Sequence, residues 1–230
     1  MSPIHNSLHE LVPGLLIAAT KVPPIIVKSQ TASDIFLPLH KLPLCDPATQ
    51  GYTIPVTRKN MGLVIVLREL ELPRIHGPLP ERVATFLEEA RVQSDRFHYE
   101  HRDQPISGFV ASDYRQVFFA IEHLKQTGLL RGRCFCEWGS GLGVVAGLAA
   151  IHGFLAYGIE VEPLLVSESA NLLQRHRLDV AIACGSFIAD DIAHPELNHQ
   201  EMSWVDLEAR SGYHLIDLEP GDVDLFFVYP

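Results

Sequence analysis

The stretch Glu137-Trp138-Gly139-Ser140-Gly141-Leu142-Gly143 joins a short buried-type run, Cys134 to Trp138, to the apolar segment Leu142 to His152, which Gly153 ends. The first run has the length of a strand and the second that of a helix. The three glycines between them let the backbone turn sharply and approach a ligand that a side chain would exclude. Working outward, Ala156 to Val161 reads as a second strand and Pro163 to about Arg177 as a helix with proline in its first turn, where the missing N–H is harmless. Val180 to Cys184 gives a third strand and Asp224 to Tyr229 a fourth. Strands alternating with helices predict a parallel sheet with crossover helices. Such a sheet binds ligands outside the carboxyl ends of its strands, where the glycine stretch falls. Glu160 closes the second strand, 21 positions after Gly139, where an acid accepts hydrogen bonds from both hydroxyls of a ribose.

A dinucleotide fingerprint, G-x-G-x-x-G, would need glycine at Val144, whereas the third glycine comes one position earlier at Gly143. The segment instead resembles the first motif of the class I S-adenosylmethionine-dependent methyltransferases, acid-x-G-x-G-x-G, with Glu137 as the acid two residues before Gly139. A carboxylate there suits a ligand that carries an ammonium and a sulfonium instead of a pyrophosphate. The resemblance covers about residues 107 to 230. It implies an α/β, Rossmann-like, doubly wound and mainly parallel sheet with flanking helices, and S-adenosylmethionine as cofactor. Under that resemblance Glu137 and the backbone of Gly139, Ser140, Gly141 and Gly143 contact the methionine part, and Glu160 the ribose. Glu162, ahead of Pro163, reads as a solvated strand-end acid. Where the family often has an acid after the third strand to read the adenine amino group, this chain has Gly185-Ser186-Phe187. Ser186 takes that place, and Phe187 either flanks the adenine or packs in the core.

The activity so implied is methyl transfer to an acceptor, either a protein side chain or a small molecule. Two alternatives stand beside it: an S-adenosylmethionine-binding module without catalysis of its own, and an NAD(P)-dependent oxidoreductase, which Val144 disfavours. Methyl transfer proceeds largely by alignment of nucleophile and sulfonium, so spacing assigns no catalytic residue. Asp222 and Asp224 are the acids expected nearest the site. The family's domain continues for about three strands after the fourth, while this chain ends at Tyr229-Pro230, only loosely like the Asn-Pro-Pro-Tyr signature of amino-nitrogen methylation.

Ahead of the motif, Val83, Phe86, Leu87 and Ala90 fall on one face of a helix that follows Pro80. A second helix carries Tyr114, Val117, Phe118, Ile121 and Leu124, with Ser112 or Asp113 as its cap and Gly128 as its stop. By the resemblance, the turn from Gly108 to Tyr114 helps cover the cofactor. Residues 1–60 are proline-rich between short β-branched runs, and Met61 to Leu72 has strand character. The chain therefore divides into a β-containing extension, 1–78, and a cofactor-binding domain, 79–230.

The whole net charge of −10 lies in residues 179–230, where eleven acids face Arg210 alone; residues 1–178 sum to zero. A broad phosphate-binding surface needs clustered Lys and Arg, so nucleic acid is disfavoured as a partner. No apolar run reaches the roughly 18 residues of a membrane span, and the run Leu11 to Ala19 lacks the basic segment of a secretory leader. The four cysteines lack zinc spacing and read as reduced, buried thiols, with Cys134 and Cys136 on one strand face. Together these features predict a soluble cytoplasmic protein without a metal site; His98, His101, His194 and His199 read as scattered surface residues.

Overall fold

The computed structural model describes residues 77–103, 106, 109–130, 132–188 and 209–228, together with the backbone of four strands ahead of them. Those strands are β1 (Leu16–Ala18), β2 (Ile25–Lys28), β3 (Gly51–Arg58) and β4 (Met61–Glu71). Then come the helices α1 (Glu81–Glu100) and α2 (Tyr114–Thr127), followed by β5 (Cys134–Trp138), α3 (Val144–Ile151), β6 (Leu155–Glu160), α4 (Pro163–Arg175), β7 (Val180–Cys184) and β8 (Leu225–Val228). Two 3₁₀ turns, Tyr213–Ile216 and Pro220–Asp222, lie before β8.

The strands form one sheet in the order β3-β4-β2-β1-β8-β5-β6-β7. Its β8-β5-β6-β7 half is wholly parallel, with Trp138 registered against Val228 on one side and Ile159 on the other. Beyond β8 the sheet continues through β1, which runs antiparallel to it. The β-rich character expected ahead of Pro80 is thus realised as strands that extend the sheet. Pro55 lies in β3, which is an edge strand, the place in a sheet where a missing N–H is tolerated.

The path β5-α3-β6-α4-β7 moves steadily away from β8, and right-handed crossovers put α3 and α4 on the same face. The return from β7 to β8 then has to cross the opposite face. Burial follows this rule. Buried residues of all four helices join Phe135, Leu225 and Phe227 in one core, while Tyr213, Leu218 and Val223 join Cys136, Ile159, Ala183 and Phe226 in the other. The sheet is therefore doubly wound, with its switch point between β5 and β8, and a ligand crevice is expected at their carboxyl ends.

Helix boundaries follow local chemistry. Asp113, not Ser112, caps α2 by accepting from the Gln116 amide at 3.1 Å, and Gly128 ends it in the left-handed conformation. The helix expected from Leu142 begins at Val144, because Gly141 and Gly143 adopt φ of +53° and +67°. Between α1 and α4 runs a polar seam. The buried Gln93 amide donates to the Glu168 carbonyl and carboxylate at 2.7 and 2.8 Å, and Arg175 and His176 both reach Glu89. The Arg175 guanidinium, hydrogen-bonded to Glu89, holds that carboxyl below its ordinary range.

Phe86, fully buried, packs its ring edge-on to His176 and against the backbone of Gly147 in α3, where an added Cβ would stand 2.5 Å from the ring. One side chain thus ties three helices together. Phe86→Ala is expected to destabilise the domain by about 3–5 kcal/mol, read as a lowered urea midpoint at unchanged slope.

Candidate functional site at the strand ends

The loop after β5 is held from below by the end of β6. The Gly139 and Ser140 amides both donate to the Ile159 carbonyl, at 2.9 and 3.1 Å, and the Gly143 amide closes a turn onto the Ser140 carbonyl at 2.7 Å. Gly139, Gly141 and Gly143 all have positive φ, a conformation that costs other residues roughly 1 kcal/mol or more. At the loop's apex the Gly141 amide donates to Glu160 Oε2 at 2.7 Å, and the other carboxylate oxygen accepts from the Glu162 amide at 2.9 Å. Glu160 is 7% exposed, so this is a carboxylate fixed at the strand end by two main-chain donors. Glu162 stands at the surface and caps α4 by accepting from the Leu164 amide at 3.2 Å.

Glu137 points to the helix-covered side of the sheet, as its register partner Gly158 does. Gly143, the N-cap of α3, has no side chain to offer the helix, and Glu137 supplies that acceptor from the strand by taking the Ala146 amide at 2.8 Å. Burial raises the Glu137 pKa well above the ordinary carboxylate value; the Ala146 amide opposes the shift and the nearby charge of Glu160 adds to it. Ser140 is buried with its side chain against Gly158, and its hydroxyl has no hydrogen-bond partner. The structure thus gathers Glu137, Gly139, Ser140, Gly141, Gly143 and Glu160 into one constellation, with the Ser140 side chain turned to the sheet.

Ser186 and Phe187 follow β7 on the neighbouring strand end. Ser186 is buried in a backbone bridge, donating its amide to the Arg210 carbonyl at 2.8 Å and accepting from the Gly212 amide at 2.7 Å, while its hydroxyl accepts from the Ile188 amide. Phe187 lies flat on Trp138, with ring centroids 5.1 Å apart and planes 7° from parallel. Trp138 in turn donates its indole N–H to the Tyr213 hydroxyl at 2.8 Å. The aromatic pair therefore packs against the second core.

Asp222 and Asp224 stand elsewhere. Asp222 pairs with the Glu219 amide in a 3₁₀ capping box, and Asp224 accepts from the Cys134 amide at 2.9 Å. Both precede β8, and in a parallel sheet the start of β8 lies beside the start of β5, roughly 13 Å from the glycine loop at 3.3 Å per residue. They are not near the site, contrary to the expectation from the sequence. Cys184 is exposed, unlike the buried thiol expected; Cys136 is buried, and Cys134 shares its face. His98 stacks on Phe109 and His101 on Phe97, and no group of three or more metal-ligating side chains occurs among the described residues. Cys45, His194, His199, Tyr229 and Pro230 lie outside the described residues. No helix among the described residues is long and apolar enough to cross a membrane.

Two further residues belong to the constellation, Phe109 from the turn expected to cover the cofactor and Gly158, which the sequence did not single out. Phe109, ahead of α2, covers Gly141 so closely that an added Cβ there would meet its ring at 3.1 Å. Gly158, inside β6, makes room for Ser140; a glycine in a strand interior is the available sequence signal for such an approach.

No protein-family model matches the chain, and no curated protein matches it. Among solved structures, a similar chain is the Pyrococcus abyssi tRNA (uracil-54, C5)-methyltransferase in complex with S-adenosyl-L-homocysteine, at a TM-score of 0.30 and 11% sequence identity, over 73% of this chain and 37% of that one. This chain thus spans little more than a third of that protein's length. So low a similarity transfers no activity, and the functional reading rests on the geometry of the site itself.

Because the folded Glu137 pKa lies above its unfolded value of 4.5, the carboxyl's contribution to stability is complete below that value and is lost as pH rises through the folded one. Glu137→Gln keeps an oxygen for the Ala146 amide without the titration. As pH rises above 4.5, the variant is expected to gain on the natural chain, at a slope of up to ~1.4 kcal/mol per pH unit. Urea denaturation across that range measures it, and parallel stability curves would refute the assignment.

Proposed function

We propose that the crevice at the carboxyl ends of β5, β6 and β7 binds S-adenosylmethionine, and that the domain is a methyltransferase acting on a protein side chain or a small molecule. The observation that carries this reading is the Gly141 to Glu160 contact, which puts a fixed, buried carboxylate at the apex of a loop of left-handed glycines. The loop's glycines carry no side chains to hold a ligand away from the main chain, and Glu160 beside them offers an acceptor suited to two ribose hydroxyls. Val144 opposes the dinucleotide alternative, because it is a buried core residue where that fingerprint needs glycine. So does Glu137, whose carboxyl already takes an α3 amide that a pyrophosphate would otherwise use.

In this reading the cofactor supplies an electrophilic methyl group on its sulfonium, and the chain's task is to bind and orient it. Ser186 takes the position of the adenine-reading acid, so adenine recognition would fall to the main chain near Ser186 and the ring of Phe187. That departure favours one rival, a binding module without catalysis of its own. Methyl transfer to an acceptor separates the two.

Calorimetric titration of the chain with S-adenosylmethionine and S-adenosylhomocysteine, against NADH as control, is expected to give saturable binding of the first two alone. Glu160→Ala is expected to lower both affinities by roughly tenfold to a hundredfold, the loss of about 1.5–3 kcal/mol of charge-assisted hydrogen bonding. Binding of NADH alone would overturn the reading in favour of an oxidoreductase, and unchanged affinity in Glu160→Ala would remove the ribose role.

A further inference from the structure

From the fit between Ser140 and β6 we infer that Gly158 is a positioning residue, which sets the height of the glycine loop above the sheet and thereby the affinity of the site; the part that concerns affinity rests on the proposed cofactor reading. Gly158 sits in the middle of β6, registered against Glu137 on one side and Ile182 on the other. Its φ is not among the positive ones, so the backbone does not require glycine there. Space does. A Cβ on Gly158 would stand 2.8 Å from both Cβ and Oγ of Ser140 and 2.6 Å from Cδ1 of Ile182.

The two neighbours differ in how they can yield. Ile182 meets the added carbon with the far end of a flexible side chain, which another rotamer removes. Ser140 meets it with its Cβ, which is rigidly attached to the loop backbone, so relief there requires moving the loop. Ordinary contact begins near 3.4 Å, so the loop must rise by about 0.6 Å. The amides of Gly139, Ser140 and Gly141 are bonded to Ile159 and Glu160 at 2.7–3.1 Å, and all three bonds stretch when the loop rises. Displacements of this order are enough to cost an oriented site tenfold or more. The unpartnered Ser140 hydroxyl fits the same account: the side chain is held where it is by close packing on Gly158 and by the loop's main-chain bonds, with no hydrogen bond of its own to direct it.

The test compares the natural chain, Gly158→Ala, Ser140→Gly/Gly158→Ala and Ile182→Val/Gly158→Ala, by amide hydrogen exchange and by titration with S-adenosylhomocysteine. Gly158→Ala is expected to lose protection at residues 139–141 while α1, α2 and the Leu225–Val228 strand keep theirs, and to bind roughly tenfold or more weakly. Adding Ser140→Gly is expected to restore protection and affinity, and adding Ile182→Val is not. Ser140→Val enlarges the loop's side of the contact with β6 untouched, and is expected to act in the same direction even if Gly158→Ala fails to fold. Unchanged loop protection in Gly158→Ala or in Ser140→Val, or rescue through Ile182, overturns the positioning role. Absence of binding by the natural chain, with the exchange pattern as expected, instead overturns the cofactor reading and leaves the loop contact standing.

Discussion

Everything at this site depends on how the end of β6 holds the loop that follows β5. Ile159 presents one carbonyl to two successive amides, and Glu160 presents a carboxylate to a third. A loop with three residues in left-handed conformation has little regular bonding of its own, and without these anchors it would be free to open toward the crevice. With them, strand, loop and helix form a single rigid bend. The bend also explains why α3 starts so close to the sheet: its first turn is closed by Gly143 and capped at a distance by Glu137, a strand residue.

Topology determines what surrounds that bend. Because β6 and β7 are added in one direction from β5, their crossover helices crowd one face, and there Phe86, Leu148, Leu172 and Leu173 build a dense aliphatic and aromatic core. The return to β8 covers the other face with 3₁₀ turns and the Trp138, Phe187, Tyr213 and Phe226 rings. The carboxyl ends of the parallel strands therefore carry unlike neighbours, the glycine loop with the Glu160 carboxylate and the stacked Trp138–Phe187 pair.

The sequence made much of this legible for identifiable reasons. Cys134–Trp138 and Val180–Cys184 were readable to the residue because each is a short apolar run bounded by turn signals, and Gly128 and Pro163 mark helix ends through backbone chemistry that tertiary context rarely overrides. Asp222 and Asp224 were misplaced although the order of the chain carried the answer: both precede β8, and in a parallel sheet residues before a strand lie at the end away from the site. The cap that Glu162 makes was not legible because it depends on where α4 turns. The bounds of β3 were not readable, because Pro55 interrupts the pattern of an interior strand and is tolerated only where β3 lies, at the edge. The fit of Ser140 on Gly158 depends on bringing together residues 18 positions apart at a spacing finer than any periodicity records.

The electrostatics give the site a preference that geometry alone does not. Glu137 and Glu160 lie on the same side of neighbouring strands, both nearly excluded from water, and the Glu160 charge helps to push the Glu137 pKa upward. A ligand with its own negative charge would add to that repulsion, and it would find the Ala146 amide already taken. A ligand carrying positive charge acts in the opposite sense: its field lowers the cost of ionising Glu137, and the ionised carboxyl in turn holds the cation more strongly. A positive charge beside Glu137 thus opposes the upward shift that burial and the Glu160 charge impose, which links cation binding to proton release there. Under the proposed cofactor reading, that linkage is what would distinguish a sulfonium from a phosphate at this loop.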